Sequence, residues 1–145
     1  MAKIQHISFR GHTRASPEAV YALLVDRERW PDWSPLGDFR LIESGDENGL
    51  GAVGVFSTNG VDSCEEVIAL EPGKRFGYSL KKGLPLRDYR AYIDLTPVRG
   101  GTDVHWHSTF TGKIPGTGWF FRRFLGRFLE RMVESLVARA SRGAP

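Results

Sequence analysis

The sequence predicts an α+β fold in which an antiparallel sheet of about seven strands is covered by one long C-terminal helix. From Phe39 to Thr111, short β-segments alternate with turns so brief that neighbouring strands must run antiparallel, and Asn59-Gly60 is a two-residue hairpin signal. The stretch WFFRRFLGRFLERMVESLVARA then places Phe121, Phe124, Leu125, Phe128, Leu129, Met132 and Leu136 at helical spacing. A sheet cannot bury one apolar face alone, so this helix is expected to lie across it.

The elements follow in order. In IQHISFRGHT, Gln5, Ile7, Phe9 and Gly11 share one face, while Ile4, His6, Ser8, Arg10 and His12 share the other, which is a half-buried strand. Ser16-Pro17-Glu18 is a helix start: a capping hydroxyl, a proline where no amide is needed, and an acid in the first turn. Val20, Leu23 and Leu24 give that helix its apolar stripe, and Pro31 and Pro35, in RWPDWSP, are expected to stop the helical region. The strands are then expected in FRLIES, GAVGVFST, VDSCEEVIAL, RFGYSLKK, LRDYRAYIDLTP and TDVHWHSTF. In VDSCEEVIAL the register is ambiguous, because Val67 and Leu70 fall on opposite faces unless a bulge intervenes.

Composition narrows the class of protein. A chain of 145 residues is expected to form one domain, residues 1–145, with one core and one site. The 41% apolar and 26% charged residues exclude a disordered or collagen-like chain. Cys64 is the only cysteine, so no internal disulfide forms; MAKIQHISFRGH lacks the pattern of a signal peptide, and no apolar run approaches the ~20 residues of a membrane span. A cytoplasmic location is the expectation. The net charge of +3 is uneven: from Lys113 onward seven basic residues face only Glu130 and Glu134, a local +5.

The segments SPEAVYALLVDRERWPDWSP, EEVIALEPGKRFGYSL and DLTPVRGGTDVHWHSTF, in this order and spacing, resemble the START-like, or Bet v 1-like, superfamily, and within it the bacterial polyketide cyclase/dehydrase and lipid-transport family. The resemblance implies a helix-grip fold: a curved antiparallel sheet around a long C-terminal helix, two short helices after the first strand, and an apolar cavity between sheet and helix. It also implies that RWPDWSP is the break between the two short helices beside the cavity mouth, with Trp30 and Trp33 either plugging the end of the sheet or packing as core.

Strand alternation supplies cavity candidates. Val104, Trp106, Ser108 and Phe110 share a face, as do Tyr89, Ala91, Ile93 and Leu95, and Phe76, Tyr78 and Leu80. Facing the helix residues Phe121, Phe124, Phe128 and Met132, and joined by Trp33, they make the expected ligand-binding set Trp33, Phe76, Tyr78, Tyr89, Ile93, Trp106, Ser108, Phe110, Phe121, Phe124, Phe128 and Met132. Cys64 and Glu66 are further candidates. For acid–base chemistry Glu66, Tyr78, Tyr89 and Arg90 come into question, but Arg90 alternates outward and no catalytic motif supports any of them. Binding is therefore favoured over cyclase or dehydratase catalysis, since one fold serves both.

Other chemistry finds less support. His105 and His107 share one side of their strand, and the resemblance, which makes the first and seventh strands neighbours, implies that they lie with His6 and His12 on the outer surface; two such histidines lack the further ligands of a functional metal site, so no metal is expected. GTGW lacks the spacing of a phosphate-binding loop, no cofactor motif is present, and the tail arginines alone do not make a nucleic-acid site. The rival expectation is a membrane-surface or protein-interaction module built on the basic, aromatic C-terminal helix, with Trp119 and Phe120 pointing outward to an anionic membrane or a partner. Either a monomer or a homodimer fits these features.

Overall fold

The computed structural model describes residues 3–144. Strand β1 (Gln5–Thr13) leads to helix α1 (Pro17–Val25), a 3₁₀ turn at Arg27–Arg29 and the one-turn helix α2 (Trp30–Trp33). Strands β2 (Asp38–Glu43), β3 (Val53–Thr58), β4 (Val61–Glu71), β5 (Arg75–Lys82), β6 (Leu86–Val98) and β7 (Gly101–Gly112) follow, and helix α3 (Gly118–Arg142) ends the fold. The sheet order is β1-β7-β6-β5-β4-β3-β2 with every pair antiparallel, a meander closed by β1 against the last strand. This is the α+β helix-grip arrangement expected from the sequence.

Local chemistry accounts for the elements. The Ser16 hydroxyl accepts a hydrogen bond from the Ala19 amide and caps α1, with Pro17 in the first turn. Asn59 and Gly60 both have positive φ, 51° and 82°, as a hairpin turn that matches strand twist requires. Pro31 departs from the expectation: it does not stop a helix but sits in the first turn of α2, where its missing amide costs nothing. The bulge required by Val67 and Leu70 is present, since β4 shifts register against β5 between Val67 and Ala69 and so turns both residues inward.

Helix α3 makes its closest approach to β1 and β7. Gly11 on β1 permits this, because a Cβ there would lie 2.8 Å from Cγ1 of Val133 and 3.0 Å from Cγ1 of Val137. At the far end Thr13 Oγ1 and Ser141 Oγ lie 2.7 Å apart and tie the last turn of α3 to the strand. The buried line of α3 is Leu125, Leu129, Met132, Val133, Leu136 and Ala140, while Phe124 is 55% exposed. The helix is therefore rotated from the expected aromatic stripe. Its apolar residues cover more than one face, and the sheet accepts mainly the aliphatic side.

The centre of the core answers why two tryptophans sit in RWPDWSP. Trp30 packs against Trp33, Phe56, Phe76, Tyr78 and Trp106 with ring centroids 5.5–6.3 Å apart. Its indole N–H donates to the carbonyl oxygens of Leu23 and Leu24 at 3.2 and 3.1 Å, which satisfies its one polar group. Truncation of such a residue to alanine costs about 3–5 kcal/mol.

Candidate functional site

Because α3 leans on β1 and β7, space is left between its first half and strands β4 and β5. There lies a cavity of about 560 Å³, a size typical of small-molecule sites. Leu80, Leu84, Leu125, Phe128 and Leu129 supply most of its apolar wall, with Leu36 from the segment after α2. It opens beside Phe124 and Val61, 55% and 45% exposed, and Arg127 and Arg131 stand at the same mouth.

Of the expected ligand-binding residues, Tyr78, Tyr89, Phe124 and Phe128 line this cavity. Phe76, Ile93, Trp106, Ser108, Phe110 and Met132 are buried in the packed core outside its wall, Trp33 is buried against Trp30, and Phe121 is half-buried beside Phe120. Tyr89 continues the inward alternation of Ala91, Ile93 and Leu95, and a second bulge lies just before it. Strand β6 shifts register between Arg87 and Arg90 with Asp88 at φ 54°, and the extra residue lets both Leu86 and Tyr89 face inward. Arg90 is exposed, as alternation requires.

The acidic candidate moves by one position. Glu66 lies on the outer face and accepts a hydrogen bond from Lys81 Nζ at 2.8 Å. Glu65 is the carboxyl in the cavity wall. The hairpin at Asn59-Gly60 pairs Thr58 with Val61, Phe56 with Ser63 and Gly54 with Glu65. Phe56 is a buried core residue, so Ser63 and Glu65 share its face. That hairpin register, counted from the turn to an aromatic core residue, is the sequence signal that identifies Glu65.

The electrostatics of this carboxyl are set by burial. Arg27, itself 5% exposed, donates to the carbonyl oxygens of Ala52 and Glu65 at 3.2 and 3.3 Å and stacks over Phe39, 5.1 Å from the ring centre. Its hydrogen bonds thus go to backbone, and Glu65 Oε1 is buried without a hydrogen-bond partner. Burial pushes the Glu65 carboxyl up to about 7, with the Arg27 charge and Ser63 opposing the rise. Burial also pushes the Tyr89 hydroxyl up to about 12 and the Tyr78 hydroxyl well above its ordinary value. Trp106 Nε1 and Ser108 Oγ are also buried without a hydrogen bond of good geometry. An apolar chamber with two neutral hydroxyls and one carboxyl poised near neutrality can hold a ring system, donate hydrogen bonds to its oxygens, and exchange a proton with it.

On the outer face Asp94, His105 and His107 bring ligand atoms within 4.8 Å of one another. These atoms are already engaged: Asp94 accepts from Arg75 and pairs with His107 Nε2 at 2.7 Å, and His105 Nε2 lies 2.7 Å from Ser8 Oγ. Burial raises the Asp94 carboxyl, but the bonds from Arg75 and His107 outweigh it and hold the group below its ordinary value. At the start of α3, Trp119 and Phe120 are 60% and 52% exposed beside Arg122 and Arg123. No helix among the described residues is long and apolar enough to cross a membrane.

Several solved structures share this architecture. The Zhui aromatase/cyclase from Streptomyces sp. R1128 superposes with a TM-score of 0.76 at 15% identity, covering 99% of this chain and 100% of that one. A START superfamily protein from Mycobacterium smegmatis gives 0.76 at 16% identity, with 94% and 97% covered. The protein TTHA0849 from Thermus thermophilus gives 0.77 at 19% identity, with 97% and 100% covered. At these identities the likeness is one of fold. No curated protein matches the chain. Residues 5–141 match the family described as polyketide cyclase / dehydrase and lipid transport, and since that match runs from β1 to the last turn of α3, the chain belongs to this family.

Proposed function

We propose that residues 1–145 act as one ligand-binding domain that holds a small hydrophobic or aromatic molecule, of polyketide, lipid or quinone type, in the cavity between sheet and α3. The observation that carries this is the cavity itself: about 560 Å³, mostly apolar, with a few polar groups placed to orient a ligand. Tyr78, Tyr89, Phe124 and Phe128 are the proposed contacts, and Glu65 joins them. Family membership supports the ligand class. Binding is the primary role, and cyclase or dehydratase activity is compatible with it. Native mass spectrometry of the untagged protein, followed by denaturing release, tests the proposal. A stoichiometric apolar compound is expected. Tyr89→Ala and Phe124→Ala should then weaken its binding, and unchanged affinity in both folded variants would reject this site.

A second reading rests on Trp119 and Phe120, whose exposure beside Arg122 and Arg123 suits the headgroup region of an anionic membrane, where the ligand would be collected or delivered. Sedimentation with phosphatidylserine-containing vesicles at low salt should pull down the wild type and release Trp119→Ala/Phe120→Ala. Equal behaviour of the two would remove the reading.

A further inference from the structure

We propose that Glu65 is the polar anchor of the cavity, and that the ligand is an apolar ring system whose carbonyl oxygen accepts a hydrogen bond from the Glu65 carboxyl. The inference rests on the proposed ligand-binding function and specifies the chemistry recognised there. Its basis is geometric. The hairpin register delivers Glu65 into the cavity wall, Oε1 is buried without a partner, and the neighbouring cation Arg27 neither lines the cavity nor hydrogen-bonds the carboxyl. A glutamate retained for packing would have its oxygens satisfied by that guanidinium, because an unmet buried acceptor costs about 1–3 kcal/mol. Oε1 itself is closed even to water, so it is the rest of the carboxyl, in the cavity wall, that meets a ligand oxygen.

The surrounding groups decide which protonation state acts. Ser63 from the same strand, Tyr78 from β5, Tyr89 from β6, and Arg127 and Arg131 from α3 line the cavity with Glu65. Arg27 lies behind it, and alternation turns Cys64 to the other face. Burial raises both tyrosine hydroxyls, so they stay neutral. Of the groups facing the cavity, Glu65 is thus the one that changes charge near neutral pH, since its carboxyl is raised to about 7. Protonated, it donates to a carbonyl oxygen; ionised, it repels one.

The test uses two probes of nearly the same shape, 2-acetylnaphthalene and 2-ethylnaphthalene, titrated calorimetrically into the full chain at pH 6 and pH 8.5. The ketone should bind about tenfold more tightly at pH 6, the worth of one buried hydrogen bond. The hydrocarbon should bind equally at both. Glu65→Gln, which keeps a donor but cannot titrate, should retain the preference for the ketone and abolish its pH dependence. Equal pH response of ketone and hydrocarbon in the wild type would overturn the proposal without any variant, as would Glu65→Gln keeping the wild-type pH profile. Binding of neither probe would instead reject the cavity as a ligand site, and the anchor with it.

Discussion

The buried carboxyl makes a quantitative demand on stability. In the unfolded chain Glu65 titrates near its ordinary 4.5, whereas in the fold burial moves it to about 7. At 1.36 kcal/mol per pH unit, that difference corresponds to about 3 kcal/mol. The folded protein holds a proton that the unfolded chain has released, so stability is highest below pH 4.5 as far as this group is concerned, falls as pH rises, and levels off above about 8. Asp94 acts in the opposite sense. Its carboxyl is lowered in the fold, so its contribution is present at neutral pH and is lost only as pH falls below the ordinary aspartate range. His105 is lowered chiefly by burial, which adds a small rise in stability as pH climbs toward the ordinary histidine range, reduced by its partial exposure. Comparing wild type with Glu65→Gln cancels both terms. Urea unfolding followed by tryptophan fluorescence at pH 5, 7 and 9 should show the wild type losing about 2–3 kcal/mol more than the variant across this range, with unchanged denaturant slopes. Parallel profiles would refute the assignment of a buried, raised carboxyl at position 65.

Gly11→Ala should cost about 1–3 kcal/mol through the clash with Val133, and Val133→Ala in the same chain should recover part of it; additivity in that double-mutant cycle, read by thermal unfolding, would show that the two positions do not touch. Asp94→Asn should lower stability by no more than about 1 kcal/mol at pH 7, because the cluster is partly exposed; a loss above about 3 kcal/mol in urea unfolding would mean the outer cluster is structurally central.

Much of this fold is legible in the sequence because its signals are local. The Ser16 cap, the Asn59-Gly60 turn and the period-two strands each report on a few neighbouring residues, and each is found where expected. The candidate site is less legible because it depends on where that period fails. Register shifts after Val67 in β4 and before Arg90 in β6 turn Leu70 and Leu86 inward along with Val67 and Tyr89, and simple alternation does not place those two leucines. Glu66 is attractive from its sequence context alone, yet its carboxylate meets Lys81 on the outer face, one residue from the carboxyl that lines the cavity. The rotation of α3 has the same origin: a helix apolar on more than one side does not say which side the sheet will take.

The large number of aromatic residues raises the question of whether they wall a chamber or fill it, and the fold assigns them to both tasks at different places. Trp30, Phe56, Phe76 and Trp106 occupy the centre, where full burial and mutual contact leave no room for a ligand. Phe124 and Phe128 stand on the first half of α3, over strands that the helix does not press against. The division follows from one small residue. Gly11 lets the second half of α3 settle onto β1 at Val133 and Val137, and a rigid helix held close at one sheet edge must stand away from the curving strands opposite. The volume left there takes its polarity from Glu65 on β4, Tyr78 on β5 and Tyr89 on β6 and its entrance from the exposed side of Phe124, so under the proposed function changes at Glu65 should act on which ligand is bound, and changes at Gly11 on whether the chamber keeps its shape.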